Sequence, residues 1–193
     1  MHTVVVEHPM AVQLGGNDPD LLGRAAYHCQ AFGGFDEINL NCGCPSPKVS
    51  ERCFGARLML DPERVRQIVA SMVRQATATE VTVKCRIGAD QRDSYEELVE
   101  FVHACKAGGA RHLIIHARKC LLSGLSAAQN RSVPPLHYEG AKYSNKVRFL
   151  SCPTNQAHWS NLQRILRGIS LHCYALVKCL KSRCSGSFFC SGA

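Results

Sequence analysis

The sequence lacks any apolar run that approaches the roughly 18–20 residues needed to cross a bilayer. It also lacks a basic N-terminal segment followed by a long apolar stretch, which is the pattern of a secretory signal. Residues 141–193 lack acidic side chains entirely. The first two absences predict a protein that is neither secreted nor membrane-bound and that lies in the cytoplasm. An organellar signal stays open if the N-terminus is incomplete.

Charge is unevenly distributed along the 193 residues, a length that suits one or two domains. Lys and Arg number 23 against 15 Asp and Glu, so the formal net charge is +8. A basic excess often indicates a nucleic-acid partner, because clustered Lys and Arg attract phosphates. Eight basic residues and no acidic ones lie in residues 141–193, which leaves residues 1–140 neutral. The excess therefore describes the C-terminal segment and not the body.

The 12 cysteines are scattered, and most of the seven in residues 1–140 fall within predicted strands or helices. This pattern is typical of reduced thiols in an intracellular protein and not of a secreted disulfide framework. Cys42 and Cys44 are separated by one residue, which is a weak metal or redox signal. Because no partner pair accompanies them, we predict no metal site.

Short apolar segments alternate with helical ones in the first 120 residues. Strands are predicted at residues 10–14, 38–41, 81–87 and 112–116. Helical periodicity follows Pro19 and Pro62, and Ser94 with Glu97 forms a capping box before a third helix. The alternation predicts an α/β fold with a parallel sheet, either a doubly wound open sheet or a (β/α)8 TIM barrel. A complete barrel needs about 250 residues. Since about four βα units are recognisable, a barrel would be partial.

Polar or reactive side chains lie at or just after the ends of the predicted strands, at the sheet edge where parallel α/β folds bind ligands. These candidates are Gln13, Asn41, Cys44, Lys84, Arg86, His116 and Arg118. Singly, each has an ordinary explanation, since a lone cysteine is most often an inert buried thiol. Together they predict an active site. Amide, ammonium and imidazole groups around one opening suit a planar heterocycle such as a flavin, and a lysine there stabilises negative charge that develops on reduction.

Several motifs closely resemble the tRNA-dihydrouridine synthases, in particular the bacterial A-type branch and its plant and algal relatives. They cover about residues 9–139 and occur in the family's order. The motifs are Val12-Gln-Leu-Gly-Gly-Asn-Asp-Pro19, Asp36-Glu-Ile-Asn-Leu-Asn-Cys-Gly-Cys-Pro-Ser46, Cys53-Phe-Gly-Ala56, Val81-Thr-Val-Lys-Cys-Arg-Ile-Gly88, Ile115-His-Ala-Arg-Lys119, Gly124-Leu-Ser126, Asn130-Arg131 and Pro134-Pro135-Leu136.

The resemblance implies an FMN enzyme that reduces the C5–C6 double bond of a uridine in tRNA, with NADPH as the reductant. Cys44 matches the family's general acid, which protonates C5 of the uracil while the flavin sends hydride to C6. Contacts to FMN are implied for Gln13, Asn41, Lys84 and His116. Substrate or cofactor contacts are implied for Arg86 and Arg118. The uridine must leave the base stack to reach the flavin, as in other enzymes that act on a base.

The sequence also departs from the family pattern. An Ala-Pro-Met strand, an Ile-Asn-Gly-Gly strand and a Gly-Arg motif, of which the last two hold the FMN phosphate in the family, do not occur here. The family's C-terminal helical domain, which docks tRNA, is not recognisable either. We therefore expect a partial TIM-barrel FMN and catalytic domain at residues 1–140, with weak or no FMN binding by these 193 residues.

Residues 141–193 form a basic, Cys-rich segment in which no βα alternation is recognisable. One helix is predicted at residues 161–181, and the cysteine spacings match no usual zinc pattern. One interpretation is an arm that binds tRNA through phosphate contacts. The other, which we favour, is an aberrant segment from a retained intron or a frameshift, because the family pattern stops abruptly.

Two other functions stay open at this point. One is an FMN barrel that reduces a free pyrimidine, similar to dihydroorotate dehydrogenase. The other is a non-catalytic truncated product, since part of a barrel leaves open sheet edges that favour aggregation. The sequence does not indicate the oligomeric state, the target uridine or the partner tRNA.

Overall fold

The structure of the protein is a computed structural model, and it describes residues 9–137 and 147–149. Its strands are β1 (Ala11–Leu14), β2 (Glu37–Cys42), β3 (Glu80–Arg86), β4 (Leu113–His116) and β5 (Val147–Phe149). Its α-helices are α1 (Pro19–Phe32), α2 (Pro47–Glu51), α3 (Pro62–Gln75) and α4 (Tyr95–Ala107). Two 3₁₀ segments span Gly55–Leu60 and Gln129–Arg131.

The described strands form one parallel sheet in the order β1-β2-β3-β4-β5. In a doubly wound sheet the strand order reverses at a switch point, whereas a barrel adds every strand on the same side. The observed order therefore confirms the partial (β/α)8 barrel and excludes the doubly wound alternative. The first four strands were predicted to within one or two residues at each end.

The two faces of the sheet differ in chemistry because side chains alternate along each strand. On β3, Val81, Val83 and Cys85 belong to the hydrophobic core, which also contains residues of α1, α3 and α4. The other face of β3 carries Thr82, Lys84 and Arg86. This second face corresponds to the barrel interior, and the polar residues near the ends of the strands lie on it.

The three predicted helices, α1, α3 and α4, begin where the sequence predicts, whereas the short α2 was not predicted. The Asp18 side chain accepts a hydrogen bond from the Leu21 amide at 2.8 Å, and Pro19 starts α1. Ser94 caps α4, with the predicted exchange of hydrogen bonds between Ser94 and Glu97. These caps thus set where the chain leaves each loop and enters the next helix.

One element lies beyond the expected end of the barrel region. The sequence showed no recognisable strand after residue 140, whereas the structure places β5 at Val147–Phe149, paired in parallel with β4. A three-residue strand is too short to show a period of two, which explains why sequence reasoning missed it. The boundary at residue 140 stays a prediction, and the helix proposed at 161–181 lies outside the described residues.

None of the helices in the described residues is long and apolar enough to cross a membrane.

Gly108 marks the close approach of α4 to α3. Its backbone is right-handed helical, with φ −72° and ψ −14°, so its conformation does not require glycine. A Cβ atom at this position would lie 2.7 Å from the carbonyl oxygen of Arg66 and 2.9 Å from Cβ of Val69. Both atoms belong to the α3 segment, and the carbonyl oxygen cannot move without shifting that helix.

We expect Gly108→Ala to lower the free energy of unfolding by about 1–3 kcal/mol, because the added methyl group overpacks the α3–α4 contact. Urea unfolding followed by circular dichroism measures the change. Gly16→Ala is the matched control, since the nearest atoms to a Cβ there belong to the flexible Leu22 side chain, at 3.4 Å. A Gly108→Ala variant as stable as the wild type would show that α3 and α4 accommodate the added methyl group without a loss of stability.

Candidate active site

Five candidate residues lie on the inner face of the sheet, in neighbouring strands. Strand register places Asn41 beside Lys84 and Arg86 beside His116. Gln13 occupies the same face of β1, in register with Asn39 of β2. The structure therefore brings together residues that are separated by up to about a hundred positions in the sequence. Their assignment as cofactor contacts stays a prediction.

Cys44 lies in the loop after β2, and two sets of contacts hold this loop. The Asn41 side-chain oxygen accepts hydrogen bonds from the backbone amides of Gly43 at 3.0 Å and of Cys44 at 3.1 Å. The Cys44 carbonyl accepts one from the Ala56 amide at 2.9 Å. Gly55 allows this approach, because its φ is +66° and a Cβ there would lie 2.7 Å from the Cys44 carbonyl oxygen. Cys44 is therefore half-buried in a loop that is tied down on both sides.

Cys42, two residues before Cys44, has a different environment. It is fully buried in the hydrophobic core, and burial raises the pKa of its thiol well above the ordinary value. The two cysteines thus do not act as a pair. In the part of the chain that the structure describes, no group of three or more His, Cys, Asp or Glu side chains could hold a metal ion.

Arg86 connects the loops that follow two different strands. Its Nε donates to the Gly43 carbonyl at 3.0 Å, and its Nη1 donates to the carbonyls of Asn130 at 2.9 Å and Lys119 at 3.2 Å. The residue is only 3% exposed, and burial lowers the pKa of its guanidinium. Arg86 therefore fixes the backbone next to Cys44. The predicted substrate contact of Arg86 stays a prediction, to which the structure adds this positioning role.

Asn130 is a residue of the site that sequence reasoning did not single out. It is fully buried, and its side chain exchanges two hydrogen bonds of 2.9 Å with the backbone of Leu121. This contact closes the loop that supplies one of the carbonyls bound by Arg86. The only sequence signal was the Asn130-Arg131 motif, and a short motif does not reveal burial.

Arg118 ties down the end of the same region. Its Nη1 donates to the carbonyls of Ser132, at 3.3 Å, and Pro134. The side chain is half-buried, so part of it faces solvent near the site. Its predicted contact with substrate or cofactor stays a prediction.

His116 is part-buried in an electropositive site, and both burial and the nearby positive charges lower the pKa of its imidazole. Burial lowers the pKa of His116 to about 4, and the positive charges of Arg86, Lys84 and Arg118 act in the same direction. The imidazole is therefore neutral at pH 7, with one nitrogen able to donate and the other able to accept a hydrogen bond.

The low pKa of His116 makes stability depend on pH. Because the ordinary pKa of 6.5 exceeds the folded value of about 4, the unfolded chain binds the proton more tightly, so stability is lost as the pH falls below 6.5. We expect this group to remove up to about 2 kcal/mol between pH 7 and pH 5.

Urea unfolding at both pH values measures this loss. A His116→Gln variant should lack the His116 contribution, whereas His103→Gln, which changes an exposed residue on α4, should retain it. The assignment is wrong if His116→Gln and the wild type lose the same amount of stability.

Comparison with known proteins assigns the chain to a family. The family model described as "Dihydrouridine synthase (Dus)" matches residues 2–148. A protein named tRNA-dihydrouridine(20/20a) synthase from Xanthomonas campestris pv. campestris is 52% identical over 136 residues, which are 70% of this chain and 40% of that protein. Its namesake from Synechocystis sp. is 52% identical over 133 residues, 69% of this chain and 39% of that protein. The chain thus spans about 40% of the length of these relatives. By the extent of the family match, this chain belongs to the dihydrouridine synthase family.

Proposed function

We propose that the chain carries the catalytic centre of a tRNA-dihydrouridine synthase, which reduces the C5–C6 double bond of a uridine in tRNA. One observation carries this proposal. A half-buried thiol, Cys44, is held in a fixed loop at the strand edge where Asn41, Lys84 and His116 also meet. Family membership and the names of the relatives support the same reaction. We also propose a cytoplasmic location, as the sequence predicts.

The donor set at the strand ends fits the ring of FMN. An isoalloxazine presents carbonyl oxygens and ring nitrogens along one edge, and these need both donors and acceptors. The inner face offers amides from Gln13 and Asn41, the Lys84 ammonium and the neutral His116 imidazole. These four residues would hold the ring. When bound, FMN supplies the hydride for the reduction, and NADPH restores the reduced cofactor.

The residues of the chain have separable roles in this reaction. Cys44 gives a proton to C5 of the uracil, whose C6 takes the hydride, and Asn41 keeps the Cys44 loop in place through two hydrogen bonds. The positive charge of Lys84 stabilises the negative charge that develops when the ring is reduced. His116 contributes hydrogen bonds without adding charge, because it is neutral at pH 7.

The substrate must present its base outside the stack. The target uridine has to be extruded from the tRNA before its C5–C6 bond reaches the half-buried Cys44. The exposed part of Arg118 and the positive charge around it suit the phosphates that flank an extruded base. Arg118 is therefore the residue we propose for substrate binding, and Arg86 acts behind it on the loop backbone.

The purified chain, with excess FMN, NADPH and unmodified tRNA transcript, tests the proposed function. We expect the tRNA to gain 2 Da per modified uridine and NADPH to be oxidised in equal amount. Free uracil and orotate form the second arm, since a pyrimidine reductase of the dihydroorotate-dehydrogenase type would act on those. Turnover of the free bases and not of tRNA would contradict the proposal, as would no turnover of any substrate.

A further inference from the structure

A continuous chain of hydrogen bonds, part-buried at its two ends, runs across the inner face of the sheet from Gln13 to Glu37. The Gln13 amide nitrogen and the Asn39 oxygen are 2.7 Å apart, and the Asn39 nitrogen and the Thr82 hydroxyl are also 2.7 Å apart. The Thr82 hydroxyl in turn donates to the Glu37 carboxylate. Thr82 is fully buried and Asn39 is 3% exposed, whereas Gln13, at the β1 end, is exposed. These hydrogen bonds link the Glu37 carboxylate to the Gln13 amide at the site.

The Glu37 carboxylate determines which group donates and which accepts in every hydrogen bond of this series. An ionised carboxylate can only accept hydrogen bonds, so the single Thr82 proton must go to Glu37. The Thr82 oxygen can then only accept from Asn39, which has to turn its nitrogen towards Thr82 and its oxygen towards Gln13. Gln13 must therefore turn its nitrogen inward. Besides the carboxylate charge, the orientation depends only on which atoms are close together.

We infer that Glu37, acting through Thr82 and Asn39, orients the Gln13 amide so that its oxygen is offered to the ligand. The site thereby selects a ring that carries an N–H donor at that position. Glu37, Thr82 and Asn39 are positioning residues, because they act on the ligand only through Gln13. The ligand part of this inference rests on the proposed function, in which Gln13 contacts the flavin ring. The orientation of Gln13 does not.

Ring binding tests the selection. The probes are lumiflavin, which carries an N–H at ring position 3, and 3-methyllumiflavin, in which a methyl group replaces that hydrogen. We expect the full 193-residue chain to bind lumiflavin at least about tenfold more tightly, because the methylated ring leaves the Gln13 oxygen without a donor. Quenching of flavin fluorescence measures both dissociation constants.

Glu37→Gln is the decisive variant. The substitution keeps the shape of the side chain, yet an amide can also donate to Thr82. Donors and acceptors can then exchange along the whole series of hydrogen bonds, so that the Gln13 amide turns over. We expect the preference for lumiflavin to fall towards one. Glu80→Gln is the matched control, because Glu80 neighbours Glu37 in register but pairs with Arg111 instead. A Glu37→Gln variant that retains the wild-type preference would overturn the inference, as would a wild type without a preference.

A measurement without ligand separates this inference from the proposed function. In the free protein, the side-chain amide protons of Gln13 should exchange more slowly than those of Gln91, which is exposed in a loop, and Glu37→Gln should remove the difference. Equal exchange in the wild type would refute the orientation. Slow exchange together with no binding of either ring would support the orientation and contradict the flavin site.

Discussion

We expect Cys44→Ala to lower the rate of the proposed dihydrouridine formation by about 10²–10⁴-fold, which is the usual contribution of a positioned general acid. The methyl group of alanine has no proton to give to the uracil carbon. The loop keeps its shape, because the Asn41 and Ala56 contacts of residue 44 involve only its backbone. Binding of tRNA and of the flavin ring should therefore change little, and the loss should appear in kcat.

Single-turnover assays at saturating FMN and NADPH, with dihydrouridine measured by mass spectrometry, check this prediction. Cys53→Ala is the matched control, since Cys53 is also a free cysteine of the same loop region but is exposed to solvent. It should react within about twofold of the wild type, as expected for a surface substitution that removes no contact of the site. Similar rates for Cys44→Ala and Cys53→Ala would remove Cys44 from the mechanism.

Replacing Arg86 by methionine is expected to cost about 3–5 kcal/mol of the free energy of unfolding. Methionine fills most of the space of the arginine stem but leaves the carbonyls of Gly43, Lys119 and Asn130 without their donor. Each hydrogen bond to a charged group contributes about 1.5–3 kcal/mol, and buried groups without partners are costly. The cost is large because one side chain satisfies three separate backbone segments.

Arg118→Met provides the control for this measurement. Arg118 also donates to backbone carbonyls, at Ser132 and Pro134, but it is half-buried, so water can replace the lost donor. We expect a loss of about 1 kcal/mol or less for this variant. Equal losses of the free energy of unfolding for the two substitutions would show that the burial of Arg86 does not increase the cost of removing it.

The sequence predicted well the strands and helices that position the site, and the reasons are physical. Alternation of Val and Ile with polar residues marks the strands, and turn glycines and capping residues mark the ends of the helices. Since the carboxyl ends of parallel strands share one edge, Asn41, Lys84 and His116 had to lie near one another once the barrel was inferred. Their roles came from the resemblance, and no contact in the structure tests those roles.

The sequence by itself determined the parallel βα architecture, the edge on which the site lies and the family to which the chain is similar. Only the tertiary structure decided what each polar side chain does there. Arg86 and Asn130 are buried supports of the Cys44 loop, and Asn39 and Glu37 set the orientation of Gln13. The reason is that an alternating strand pattern reveals on which face of the sheet a polar residue lies, but not which group it hydrogen-bonds. Hydrogen-bond partners across neighbouring strands and loops exist only after the sheet has brought distant segments together.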